Sequence, residues 1–299
     1  MIKKILVTGC SGFIGQALCI DLINSGFRVI GYGKTPPRFD QIEFIHGDIL
    51  DCDVLKSAAK EVDAIIHLAA VTAHNEIVNY PLKTLNVNLQ GTVNIAEAFL
   101  LSEAKVLIYS STGKVYGYPS YLPYNEEHPT RPSTILGKTK LLSENVLEFC
   151  SFLEPNKSVN VLRIFQVYGK GQRANFLIPT ILSQLNKTSI TLGDIDAKRD
   201  YIFLDDVVEA FNAVLKKAIP GFNLYNLGSG KSYSAKEIVY IISKIINSPI
   251  EIEVDLSRFR KGEYDDERTD TGKLERLGWQ CRTSIEMGLR YLLTDEGRC

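Results

Sequence analysis

Near the start of the chain, Gly9-Cys10-Ser11-Gly12-Phe13-Ile14-Gly15 has the residue types and spacing to hold a pyrophosphate. An apolar run, Ile5-Leu6-Val7, precedes it, and Ile14, Leu18 and Leu22 then fall on one helical face. Glycines at such a junction let the backbone turn tightly and approach a phosphate. The helix start adds free N–H groups and the positive end of a dipole. The strand before and the helix after favour a dinucleotide site over an ordinary strand–helix turn. The end of the next strand distinguishes the two dinucleotides, because an acid there would grip the ribose hydroxyls of NAD. This chain instead has Gly33, followed by Lys34 and Arg38. The missing acid and the added cations predict a 2′-phosphate, hence NADP(H); the other reading makes both cations part of a solvated loop. Asp48 is placed to meet the adenine edge, or is a turn or cap acid.

The elements that must position this turn are legible as alternation. Phe27–Ile30, Ile42–Ile45, Ala64–Leu68, Val106–Tyr109 and Val159–Ile164 are predicted strands, with helical patterns between most of them. Strand–helix–strand repeats imply right-handed parallel crossovers. The expected fold class is therefore α/β, a doubly wound parallel (Rossmann) sheet with a smaller mixed C-terminal lobe. Residues 1–168 are expected to bind the dinucleotide, with a later segment near 198–228 returning to the sheet; 169–299 mainly form the second lobe. A long helix is predicted over Ser133–Leu153, with Leu141, Leu142, Val146 and Phe149 as its stripe. Ser234-Ala235-Lys236-Glu237 and Thr283-Ser284-Ile285-Glu286 read as capping boxes. The irregular stretch Gly117–Pro132 reads as an active-site loop.

Composition limits the partners. The chain has 299 residues, with 34 Lys+Arg against 35 Asp+Glu and a net charge of −1. That balance offers no field for nucleic acid or an anionic membrane surface. Hydrophobic residues make up 45% and charged residues 23%, which fits a chain that folds on its own core. No apolar run approaches the ~18 residues of a membrane span, and the first apolar run is too short for a signal peptide. Cysteines 10, 19, 52, 150, 281 and 299 lack CxxC or CxxH spacing, and the histidines at 46, 67, 74 and 128 form no metal pattern. Reduced thiols in a cytoplasmic protein without a metal are the expectation.

Further motifs carry a resemblance. Thr8 through Gly15 is similar to a TGxxGxxG turn, Gly47-Asp48 to an adenine-side GD, and His67-Leu68-Ala69-Ala70 to an HLAA after the fourth strand. Asn88 with Gly91-Thr92 resembles N-x-x-G-T; Ser110-Ser111-Thr112 with Val115-Tyr116-Gly117 resembles SSxxxVYG. Arg163 through Tyr168-Gly169 resembles R-x-x-N-x-Y-G, with Gln166 where Asn is usual. Asn175 through Pro179, and Arg199-Asp200-Tyr201 through Asp205-Asp206-Val207, are similar to C-terminal substrate motifs. Together these resemble the extended short-chain dehydrogenases/reductases, the group of nucleotide-sugar epimerases, dehydratases and 4-ketoreductases, over essentially the whole chain. The resemblance implies a cofactor site of Gly9, Ser11, Gly12, Phe13, Ile14, Gly15, Gly33, Lys34, Arg38, Asp48, Ile49, Leu68, Ala69, Ala70, Asn88 and Lys140. It also implies a homodimer built from the helices around Asn86–Leu101 and Ser133–Leu153, although their apolar stripes could equally pack inward.

The family's chemistry pairs a Tyr with a Lys four residues later on one helical face. The Lys holds the nicotinamide ribose, the Tyr moves a proton at the sugar oxygen, and a Ser or Thr fixes that oxygen. Here Lys140 and Thr112 match, but Leu136 stands where Tyr belongs, and leucine carries no exchangeable proton. Three accounts remain open. Another group gives the proton, with Lys114 leading because dehydratases of the family carry an acid there that faces the sugar; Tyr116, Tyr118, Tyr121 and Tyr124 are further candidates. The tyrosine was replaced deliberately to trap a complex. Or the chain binds without turnover. Lys114 can equally be a structural lysine. Gly113 and Lys114 replace the Asp-Glu pair that eliminates water, which argues against a dehydratase and against uronic acid decarboxylation.

The expected reaction is NADPH-dependent reduction of a nucleotide-diphosphate 4-keto-6-deoxy sugar at C4. The alternatives are a nucleotide-sugar 4-epimerase and, from another class, an NADP- and sugar-nucleotide-binding protein. Thr112, Gln166, Asn175, Arg199 and Arg260 are the expected substrate contacts, with Arg268 a further cation. Each arginine has an ordinary surface or ion-pairing role as its alternative. Tyr201 reads as packing.

Overall fold

The computed structural model describes residues 2–259, 265–295 and 297. The first half alternates as expected: β1 Lys4–Thr8, α1 Phe13–Asn24, β2 Arg28–Gly33, β3 Glu43–His46, α2 Cys52–Ala59 and β4 Ala64–His67. Then come α3 His74–Asn79, α4 Pro81–Leu85, α5 Gly91–Leu101, β5 Val106–Thr112, α6 Ile135–Leu153 and β6 Ser158–Ile164. The second half holds β7 Gln166–Tyr168, α7 Leu177–Leu182, β8 Ser189–Leu192, β9 Lys198–Phe203, α8 Leu204–Lys216 and β10 Gly221–Leu227. It closes with β11 Ser232–Ser234, α9 Ala235–Ile245, β12 Glu251–Val254, α10 Gly272–Glu275 and α11 Ile285–Asp295.

Seven strands form one sheet in the order β10-β6-β5-β4-β1-β2-β3, and every pairing in it is parallel. Strand order reverses between β1 and β4, so the crevice at their carboxyl ends is where a ligand belongs. Helices bury both faces, so the strands are apolar throughout. Ile5, Val7, Ala64, Ile66 and Ile108 face one core, and Leu6, Ile65 and Leu107 face the other. A third core, with Ile178, Ile181, Ile238, Ile242 and Leu289, holds the C-terminal lobe. Its three-stranded sheet runs β11-β9-β7, and β8 pairs with β12.

Several boundaries differ from expectation for local reasons. β2 continues past Ile30 through Gly31 and Gly33, because its ladders to β1 and β3 override the weak strand preference of glycine. α6 starts at Ile135, two residues late, where Thr134 Oγ1 accepts the Gly137 N–H at 3.1 Å. Ser234 and Glu237 form the expected reciprocal capping box. The other box shifts by one: Ser284 Oγ accepts the Met287 N–H at 3.2 Å, while the Thr283 N–H goes to Asp206 Oδ2 at 3.0 Å. The stripe of α6 also divides. Leu141 and Val146 pack inward, whereas Leu142 and Phe149 are exposed, along with Phe152. No helix among the described residues is long and apolar enough to cross a membrane.

Candidate active site

β1 delivers the chain to the glycine turn. Gly9 has φ +73°, and a side-chain carbon on Gly15 would stand 2.2 Å from the Gly9 carbonyl, so the turn tolerates no substituent there. Gly12 caps α1 in an extended conformation and no side chain takes the first-turn N–H groups. A bare helix start beside a turn this tight fits a pyrophosphate. Ser11, Phe13 and Ile14 are half-buried around it. Gln16, which the sequence reading missed, ties the turn to the loop after β2: its Nε2 donates to Ser11 O and its Oε1 accepts the Arg38 N–H, both at 3.2 Å. Arg38 is thereby drawn beside Ser11.

At the end of β2, a side-chain carbon on Gly33 would meet nothing within 4 Å. Lys34 and Asp48, assigned separately to a 2′-phosphate and to adenine, pair with each other at 2.6 Å. Burial raises the Asp48 carboxyl, but the Lys34 ammonium and the Leu50 N–H more than offset this and leave it below the usual carboxylate range. Ile49, another expected cofactor residue, is 7% exposed, and its side chain packs in the core against Gly91.

His67 ends β4. Its Nδ1 lies 2.8 Å from Thr8 Oγ1 and its Nε2 3.3 Å from Thr92 Oγ1. Burial, helped by the Lys140 charge, pushes it down to about 3, so the imidazole stays neutral at physiological pH. Leu68, Ala69 and Ala70 follow half-buried, and the Leu68 and Ala69 N–H groups return to Thr8. Asn88 is buried and committed elsewhere. Its Oδ1 accepts from Val71 N at 2.7 Å, and its Nδ2 donates to Val71 O and Thr139 Oγ1, each at 3.1 Å. It shapes the crevice wall and is not a free side-chain contact.

Thr112 ends β5 and its Oγ1 accepts the Lys114 N–H at 3.3 Å. Lys140 lies buried on α6, donating to Ser110 O at 2.6 Å with the Tyr109 ring 4.5 Å away. Burial lowers it to about 7, against the opposing pull of Glu144. Leu136 is half-buried one turn before it. A side-chain carbon on Gly137 would stand 2.4 Å from Lys114 O, so the first turn of α6 rests directly on the turn that carries Lys114. Leu136 and Lys114 are therefore near neighbours, though 22 positions apart in the chain.

The tyrosine candidates divide. Tyr116 is fully buried and donates to Asn226 Oδ1 at 2.6 Å; Tyr124 is fully buried and donates to Gly117 O at 2.8 Å. Burial raises both hydroxyls, Tyr116 to about 12. Stacked at 4.8 Å and edged by His128, they form the core of the irregular loop. Tyr118 and Tyr121 are exposed, and Tyr121 donates to Asn125.

Of the substrate residues, Gln166 is half-buried on β7, and Asn175 is exposed just before α7. Arg199 is buried on β9 with its Nε 3.5 Å from Glu267 Oε2, and the same oxygen is 3.2 Å from Lys114 Nζ. Arg268 pairs with Asp266 at 3.3 Å. Arg260 lies outside the described residues. Tyr201 is buried edge-on to Tyr168, as packing. Glu267 was missed because Asp265-Asp266-Glu267 offers three adjacent acids with no mark of which one turns inward.

Comparison with known proteins agrees with this geometry. Residues 5–228 match the model of the NAD dependent epimerase/dehydratase family. The chain is 30% identical to UDP-glucose 4-epimerase of Bacillus subtilis, covering 94% of this chain and 93% of that one. It is also 30% identical to GDP-6-deoxy-D-mannose reductase of Pseudomonas aeruginosa, covering 99% and 97%. A structure of RMD from Pseudomonas aeruginosa complexed with NADPH superposes with a TM-score of 0.84 at 29% identity, over 99% of this chain and all of that one. With a doubly wound sheet, a bare glycine turn at its switch point and this match, the chain belongs to the NAD dependent epimerase/dehydratase family, the extended short-chain dehydrogenases/reductases.

Proposed function

We propose that this protein catalyses NADPH-dependent reduction of a nucleotide-diphosphate 4-keto-6-deoxy sugar at C4. One observation carries the reading. The position of a ribose-gripping acid is Gly33, open on its side-chain side, with Lys34 and Arg38 on the following loop. The similarity to GDP-6-deoxy-D-mannose reductase and to an NADPH complex supports it. NADPH, when bound, supplies the hydride. The turn from Gly9 to Gly15 holds the pyrophosphate, and Lys140 holds the nicotinamide ribose. Thr112 fixes the sugar oxygen and Lys114 gives it the proton. Gln166, Asn175 and Arg199 serve the sugar and diphosphate.

A second reading, a nucleotide-sugar 4-epimerase using NAD, is favoured by the Lys34–Asp48 pair, which draws that cation away from a 2′-phosphate. Titration separates the two. Quenching of protein fluorescence is expected to give tighter binding for NADPH than for NADH. Tighter NADH binding would refute the 2′-phosphate argument and favour the epimerase.

A further inference from the structure

Glu267 joins the two lobes across the crevice. Its side chain is 4% exposed, and its Oε2 meets Lys114 Nζ at 3.2 Å and Arg199 Nε at 3.5 Å. Lys114 stands on the turn after β5 in the large sheet; Arg199 lies on β9 in the small one. One carboxylate thus holds together two cations that the backbone brings from different cores. The adjacent Asp266 and Arg268 pair with each other and add no net charge. Glu267 also buries a negative charge against Lys114, which stands two positions after Thr112, the residue read as holding the reacting sugar oxygen.

We propose that Glu267 is a positioning and specificity residue: it clamps Lys114 and Arg199 into one pair and sets the pocket against sugars that bear their own carboxylate. This rests on the reading of the crevice as a sugar-nucleotide site. A sugar carboxylate would compete with Glu267 for the same ammonium. In a buried site the repulsion between two carboxylates is poorly screened, which makes it an effective means of rejecting a wrong ligand. A neutral 6-deoxy sugar makes no such demand.

The test is calorimetric titration of the full chain with sugar nucleotides matched except at C6: UDP-glucose with UDP-glucuronate, and GDP-mannose with GDP-mannuronate. Wild type is expected to favour the neutral member by about tenfold or more, the scale of a like-charge contact at a binding surface. Glu267→Gln should bring that ratio close to one. Glu267→Asp, which keeps the charge but shortens its reach, should preserve the ratio while weakening both ligands. Lys114→Met, which leaves the carboxylate without its ammonium, should widen the ratio. An unchanged ratio in Glu267→Gln, or a wild type that favours the acidic sugar, would overturn the proposal. Should Glu267→Gln lack a cooperative melt, Lys114→Met decides, and an unmoved or narrowed ratio counts against it. A wild type that binds none of the four ligands removes the functional reading and this proposal together. A wild type that binds with a ratio no variant moves removes this proposal alone.

Discussion

Lys114→Met is expected to lower turnover by about 10²–10⁴-fold, the contribution of one positioned general acid. The family places its proton donor at position 136, and Leu136 cannot serve. The first turn of α6 lies on the backbone of Lys114, close enough that Gly137 has no room for a side chain. An ammonium carried by that turn starts from the neighbourhood of the lost hydroxyl. The buried tyrosine hydroxyls of the neighbouring loop are taken, Tyr116 by Asn226 and Tyr124 by Gly117. Leu136→Tyr should rescue the Lys114→Met protein, because it restores a donor one turn before Lys140. Steady-state NADPH oxidation reads both effects. If Lys114→Met leaves the rate unchanged while Leu136→Tyr raises it by orders of magnitude, Lys114 is not the donor.

Arg163→Met should cost about 3–5 kcal/mol of stability, the penalty for stranding a buried charge. Arg163 on β6 and Glu144 on α6 meet at 2.6 Å with 5% and 4% of their side chains exposed. The Ser111 hydroxyl also donates to Glu144, and the guanidinium lies 4.7 Å from the Tyr116 ring. Glu144 is one turn beyond Lys140 on the same helical face. The pair therefore fixes the rotation of α6 and keeps Lys140 against Ser110 as well as holding the core. Replacing both charges, as Arg163→Met with Glu144→Leu, should recover most of the loss, since no charge is then left unpaired. Urea midpoints with the m-value held constant measure the difference. A single-variant cost below about 1 kcal/mol would put the pair in the class of exposed salt bridges and contradict this account.

The sheet was legible because its signals are local and repeated: β1 to β6 are short apolar runs, and most of the crossovers between them are helices. Strands beyond β6 were harder to read, β7 and β10 among them. β7 is three residues long and ends at Tyr168, too short for a periodic signal. β10 is half-exposed along its first four residues, and its place beside β6 follows from tertiary pairing. In the site, the glycine turn could be read because it needs particular residues at particular spacings. Side-chain pairings across the crevice could not. Sequence spacing says nothing of whether Lys34 faces a ligand or Asp48, or whether the Asn88 amide is open or spent on Val71 and Thr139. Tyr116 and Tyr118 are two positions apart, yet one is fully buried and the other 56% exposed. Glu267 became visible only when its donors, Lys114 and Arg199, and the two lobes were seen together.

Whether reduced nucleotide is consumed is the most direct question to put to the protein. Purified chain would be mixed with NADPH and, in turn, the dTDP, GDP, UDP and CDP forms of 4-keto-6-deoxy sugars, while cofactor absorbance is followed. A stoichiometric fall with at least one sugar is the predicted result. A flat trace across all of them, with cofactor bound, would contradict it and leave a protein that holds its ligands without turning them over.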